Sequence, residues 1–143
     1  MTSVLPNPAS SFGRRVRARF REEEVIWLTT VGQDGTPQPN PVWFIWPHDD
    51  EILTYNTPSA HRLAHIAARP AVSLHFNSGE DGNDVVVARG IAERVDHDPP
   101  PHQSPAYLAK YRDAMITISG SLEAFSAEYS VPVRVRMTRI RGY

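Results

Sequence analysis

Residues 41–75, PVWFIWPHDDEILTYNTPSAHRLAHIAARPAVSLH, constrain this chain more than any other stretch. Two runs of strand-forming residues flank a short polar segment with Tyr55, Pro58, Ser59, Arg62 and His65 in order. The aromatic and branched run Val42, Trp43, Phe44, Ile45, Trp46 suits a pleated sheet surface. The polar segment sets hydroxyls, a guanidinium and imidazoles at the mouth of a short helix, beside apolar residues. Such a place can hold a phosphate next to a slot for a flat ring, and it points to a cofactor-binding barrel.

The rest of the chain fits that frame. Its 143 residues make one domain, 1–143, large enough to bury a core. A net charge of −1 gives no global pull toward nucleic acid or an anionic membrane. No cysteine is present, which excludes thiolate nucleophiles, disulfides and Cys-type zinc sites. No apolar run approaches the ~20 residues of a membrane span, and residues 1–11 lack the apolar core of a secretory signal. The expected location is the cytoplasm. Lys110 is the only lysine among 15 basic residues. That bias toward arginine, with abundant alanine and proline, suggests a GC-rich bacterial genome.

Residues 1–11 read as a flexible segment. Ser10 or Ser11 can cap a helix running to about Glu24, with Phe12, Val16 and Phe20 four apart on one stripe. Arg14, Arg15, Arg17, Arg19 and Arg21 occupy the other faces: a phosphate-binding surface, or a solvated face balanced by Glu22–Glu24. Val25–Val31 reads as a strand, Gln33-Asp34-Gly35 as a turn, and Val42–Trp46 as the return strand. Pro37, Pro39 and Pro41 alternate, as on an edge where ladder donors are dispensable. Strands at Glu51–Asn56, Ala71–Phe76, Val85–Val95 and Val131–Ile140 follow, the last with Val133, Val135 and Met137 alternating. Helices are expected at 59–69, 106–115 and 121–129, and residues 97–105 read as a surface linker. Six short strands with few helices argue for a small β-barrel, mainly β with flanking helices.

Here the pattern becomes a resemblance. TTVGQDGTPQPNPVWFIW, LTYNTPSAHRLAHIAARPAVSLHF and VVVARGIAERV, with AYLAKY and the closing FSAEYSVPVRVRMTRIRGY, resemble the split-barrel flavin-binding proteins related to pyridoxamine-phosphate oxidase. The similarity is nearest to the actinobacterial branch of deazaflavin-dependent enzymes and covers about residues 12–143. It implies a six-stranded antiparallel FMN-binding split β-barrel that forms a homodimer with two interfacial cofactors. It also implies that Pro41, Val42, Trp43 and Phe44 line the flavin or deazaflavin ring. Tyr55, Asn56, Thr57, Ser59, His61, Arg62 and His65 would serve the ribityl chain and phosphate. Arg62 stands where the family usually has lysine, His65 where it often has asparagine, and Asn56 and Thr57 replace serine and glutamine. Arginine serves a phosphate as well as lysine, with bidentate geometry.

The bland readings stand beside these. Arg62 is a phosphate partner or a solvated helix residue. Alternation puts one of Trp43 and Phe44 in the core. His61 and His65 are four apart, as in a helical metal pair, but no carboxylate follows, so no metal site is assigned. Asn77 and Asp84 read as turn residues, Arg89 as half of a structural ion pair, and Tyr143 as a cover for a cofactor edge or a residue of the barrel rim. Three functions are compatible: a coenzyme F420-dependent oxidoreductase passing hydride to a conjugated small molecule, an FMN-dependent oxidase or reductase, and a non-catalytic carrier of a flavin or tetrapyrrole. A glutamate-tailed deazaflavin would need a cationic groove, which the arginines at 14–21 could supply. No catalytic residue is assigned from the sequence.

Overall fold

The computed structural model describes residues 3–143. Helix α1, Ser11–Glu22, starts where Ser10 Oγ accepts the Gly13 amide at 2.9 Å and buries Val16 and Phe20. The segment before it, expected to be flexible, is packed from Val4 on: Leu5 is 7% exposed and joins the main core. The reason is Gly13, whose missing side chain admits the Asn7 carbonyl; a Cβ there would sit 1.9 Å from that oxygen. Residues 1 and 2, part of the same expectation, lie outside the described residues.

Seven antiparallel strands form one curled sheet, a half-barrel: β1 Val25–Val31, β2 Pro37–Trp43, β3 Ile45–His48, β4 Glu51–Asn56, β5 Ala71–His75, β6 Val86–Arg94 and β7 Val131–Gly142. Their spatial order is β2-β1-β5-β6-β7-β4-β3. Helix α2, His61–Ala68, links β4 to β5, while α3, Pro105–Ser119, and α4, Leu122–Glu128, lie between β6 and β7 in sequence. The split-barrel class holds, but the count is seven because the strand expected at Val42–Trp46 breaks at Phe44. There the backbone turns to side chains of α3. Phe44 N–H donates to Tyr111 Oη at 2.9 Å, and Lys110 Nζ donates to the Phe44 carbonyl at 2.9 Å. Tyr111 Oη also lies 2.6 Å from the Glu24 carbonyl. Backbone groups satisfied this way leave the ladder without leaving the core.

Strand alternation feeds two apolar layers. Val42, Phe44, Ile52, Leu74, Ala88 and Val135 face the barrel interior with α1. Ile45, Leu53 and Tyr55 point the other way and meet Tyr107, Tyr111, Met115 and Phe125 from α3 and α4. Both faces of β4 are therefore covered, and its burial is nearly continuous. Among the described residues no helix is long and apolar enough to cross a membrane.

Candidate functional site

Between β2 and the α3–α4 hairpin lies a pocket of about 280 Å³. β2 supplies Pro41, Val42 and Trp43, β4 supplies Tyr55, and α2 supplies Arg62; the far wall is Tyr107, Ile118, Phe125 and Tyr129. The Trp43 ring is fixed as a wall by near-parallel stacking on Tyr111, 4.7 Å between centroids, and on Phe125, 5.7 Å. Flat aromatic walls with few polar groups are what a ring-binding site requires.

The polar end is built on Asn56. Its Nδ2 donates to Thr54 Oγ1 and the Val131 carbonyl, both at 3.1 Å, and its Oδ1 accepts from Arg62 Nε at 2.7 Å. Asn56 is thus a buried bracket that aims a guanidinium. Arg62 is half-buried, and no carboxylate among the described residues pairs with it. Burial pulls its pKa below the ordinary arginine value. A desolvated cation held by a neutral amide is suited to an incoming anion.

Two tyrosines complete the chemistry. Tyr55 donates to the Pro99 carbonyl at 2.6 Å. Burial and then the charge of Asp98 push its pKa up to about 12. Tyr107 is almost fully buried, burial raises its pKa strongly, and its hydroxyl has no hydrogen-bond partner among the described residues. Both hydroxyls keep their protons at neutral pH, and that of Tyr107 remains available to a bound group.

The residues singled out from sequence divide. Pro41, Val42, Trp43, Tyr55 and Arg62 come together in the pocket, with Asn56 behind them. Phe44 does not: it is 0% exposed and belongs to the interior layer, so alternation gives the wall to Trp43. Thr57 and Ser59 face each other at 3.5 Å outside the pocket, and His61 is exposed at the start of α2. His65 turns away to Thr30 on β1, at 2.9 Å. Ser59 and His61 therefore do not line the pocket beside Arg62, and His65 is engaged by Thr30. Sequence reading missed the far wall. Its signal was the four-residue spacing of Tyr107 with Tyr111 and of Phe125 with Tyr129, two aromatic stripes on adjacent helices.

Other expectations need correction. Three of the five α1 arginines are engaged within the fold rather than free to line a groove. Arg15 and Arg19 pair with Asp84 at 2.8 and 2.9 Å, and Arg17 donates to the Pro6 and Gly13 carbonyls. Asp84 and Asn77 are more than turn residues: the first anchors α1, and the second accepts the Trp27 indole at 2.9 Å. Arg89, expected in an ion pair, has none among the described residues. Tyr143 is 68% exposed, and its hydroxyl donates to the Gly82 carbonyl.

Comparison with solved structures places the fold. An F420 reductase is 26% identical, with a TM-score of 0.66 over 87% of this chain and 94% of that one. A conserved hypothetical protein of Mycobacterium tuberculosis is 20% identical, with a TM-score of 0.68 over 99% of this chain and 86% of that one. The heme storage protein HutZ of Vibrio cholerae is 13% identical, with a TM-score of 0.62 over 90% and 92%. No curated protein matches the chain by sequence. The family model described as Pyridoxamine 5'-phosphate oxidase matches residues 12–139, a span that runs from α1 into β7, and the chain belongs to that family.

Proposed function

We propose that the protein is an oxidoreductase that binds coenzyme F420 in the Trp43–Arg62 pocket and acts on a conjugated small organic molecule. The observation that carries this reading is Arg62, a half-buried guanidinium without a carboxylate, aimed by Asn56 beside aromatic walls. The similarity to an F420 reductase favours a deazaflavin over FMN.

The residues present fit such a group. Arg62 would hold an anionic phosphate, Trp43 and Phe125 would bound a flat ring, and Ile118 and Tyr129 would keep water from it. When bound, a reduced deazaflavin supplies hydride. Tyr107 holds a proton at its hydroxyl facing the pocket, and burial keeps it there at neutral pH. Tyr55 is fixed in the pocket wall by its bond to the Pro99 carbonyl. The same reading makes the protein a homodimer with an interface above ~1,000 Å², which light scattering checks.

Titration of the purified protein with coenzyme F420 and with FMN, followed by fluorescence quenching, tests the proposal. F420 is expected to bind more tightly. Arg62→Ala should lose about tenfold to a hundredfold in affinity, and Arg62→Lys should keep part of it. Equal affinity in the wild type and Arg62→Ala moves the phosphate elsewhere. Yellow protein carrying FMN from expression reverses the cofactor order.

A further inference from the structure

Apart from the Arg62 pocket, a second cavity of about 320 Å³ opens between the end of α1, β3 and the first half of α3, at the small end of the range for ligand pockets. Phe20, Ile45 and Trp46 form its apolar side. Trp46 is held there by stacking on Phe20, 5.5 Å between centroids. Ala106 stands one turn before Lys110 on α3, and its small side chain leaves Lys110 in the cavity wall. Arg21 also lines the cavity, and no Asp or Glu does.

Lys110 is the only lysine among 15 basic residues, and an arginine in its place could not give up its proton. Its Nζ lies 3.7 Å from the centre of the Phe44 ring, 5.4 Å from that of Tyr111 and 2.9 Å from the Phe44 carbonyl. It makes no ion pair among the described residues. Burial pulls its pKa down to about 8, against the weaker pull of Glu24 and Glu23, just after α1, toward the charged form. A share of the amine is therefore neutral and nucleophilic near neutral pH. The Phe44 carbonyl also lies 2.9 Å from Tyr111 Oη, so a second donor stays within its reach when the amine is consumed.

The two cations define the occupant. Arg21 makes no ion pair among the described residues and brings a permanent charge to the cavity, which suits a carboxylate. A half-buried amine beside apolar walls and a second cation is the setting that activates a lysine toward a carbonyl carbon. We propose that this cavity captures a small 2-oxo carboxylate covalently, with Lys110 as the nucleophile and Arg21 as the carboxylate anchor. The lone pair of the neutral amine forms an N–C bond at the carbonyl carbon. The bonds from that carbon to its oxygen then break, both amine hydrogens leave with the oxygen as water, and an imine remains. Nothing is oxidised or reduced. The step needs no cofactor and is independent of the pocket at Arg62.

Glyoxylate tests it on the full chain near neutral pH, with cyanoborohydride present to reduce the imine to a stable amine. Peptide mapping by mass spectrometry compares the labelling of Lys110 with that of the α-amino group. The α-amino group titrates in the same range, so it reports what acidity alone gives. Lys110 should be labelled about tenfold faster, at a rate that saturates with glyoxylate. Arg21→Gln should lower that rate about fivefold. With propionaldehyde, which has no carboxylate, Arg21→Gln should label as the wild type does. Lys110 labelled no faster than the α-amino group, or at a rate that stays linear in glyoxylate, is an ordinary structural lysine, and the proposal is overturned. An equal loss with both probes in Arg21→Gln overturns it as well, because Arg21 would then act on the fold and not on the carboxylate. A glyoxylate rate unchanged in Arg21→Gln removes the anchor and overturns the 2-oxo carboxylate assignment.

Discussion

Arg15 and Arg19 on α1 and Arg89 and Arg139 on the sheet carry the same charge into opposite surroundings. The first two close on Asp84 across 65 or more positions of sequence and fasten a helix to a loop. The second two face each other with no acid between them. Arg62 is a third case, held by a neutral amide. A count of basic residues treats all five alike; the partner each one has decides whether it holds the fold or keeps its charge uncompensated by a carboxylate.

Four measurements press on that contrast. The largest effect is expected at Asn56. Asn56→Ala leaves Arg62 unaimed and removes buried side-chain hydrogen bonds to Thr54 and the Val131 carbonyl, and should cost about 2–3 kcal/mol in denaturant unfolding; a loss well under that would mean Arg62 holds its place without the bracket. Next comes Asp84→Ala, which releases both α1 arginines. The pairs are partly exposed, so the cost should be about 1–2 kcal/mol, and it should shrink in high salt. Asp84 has φ 53°, so Asp84→Gly should recover the backbone part alone.

The third measurement concerns a cation without a carboxylate bond, Lys110. Its amine lies 3.7 Å from the centre of the Phe44 ring, and burial lowers its pKa from 10.5 to about 8. Between those values the unfolded chain binds more protons than the folded one, so stability should rise as pH climbs from about 8 toward 10. Solvent screening keeps the change below about 1 kcal/mol. Above pH 10 the raised Tyr55 reverses the sign, because the folded chain then keeps a proton the unfolded one has lost. Lys110→Met should flatten the rise, which thermal melts across pH would show. The smallest effect is Arg89→Thr, a gain of about 0.2–1 kcal/mol from relieved repulsion. A clear loss instead would place Arg89 with the α1 arginines as a structural residue.

What could be read in advance follows the range of its cause. The Ser10 cap, the α1 stripe and β1 depend on neighbours within a few positions, and the sequence displays them. Arg62 was legible as a residue of the pocket because it follows a strand and stands in the first turn of a helix. The break at Phe44 was not, since its cause is Tyr111, 67 residues away. The bulge at Thr138 hid inside a regular-looking run of Val133, Val135 and Met137. Its trace was Gly90 on the neighbouring strand, which the sequence marks as a bulge or a close backbone approach; the residue it admits, and the extra Thr138 opposite, show only once β6 and β7 are paired. The pairing of Arg15 and Arg19 with Asp84 was hidden for the same reason, so the basic helix read as either a solvated face or a phosphate-binding surface.

The two rims of the sheet carry a further consequence. β2 has proline at three of its seven positions, and the opposite rim, β3, is four residues long and contains Pro47. A foreign strand seeking to extend the sheet at β2 would find no amide hydrogens at Pro37, Pro39 or Pro41 and could not complete a ladder. At β3 it would find a stub. The protein is thereby defended against fibril-like propagation, and any copies that associate must do so by stacking surfaces rather than by lengthening the sheet.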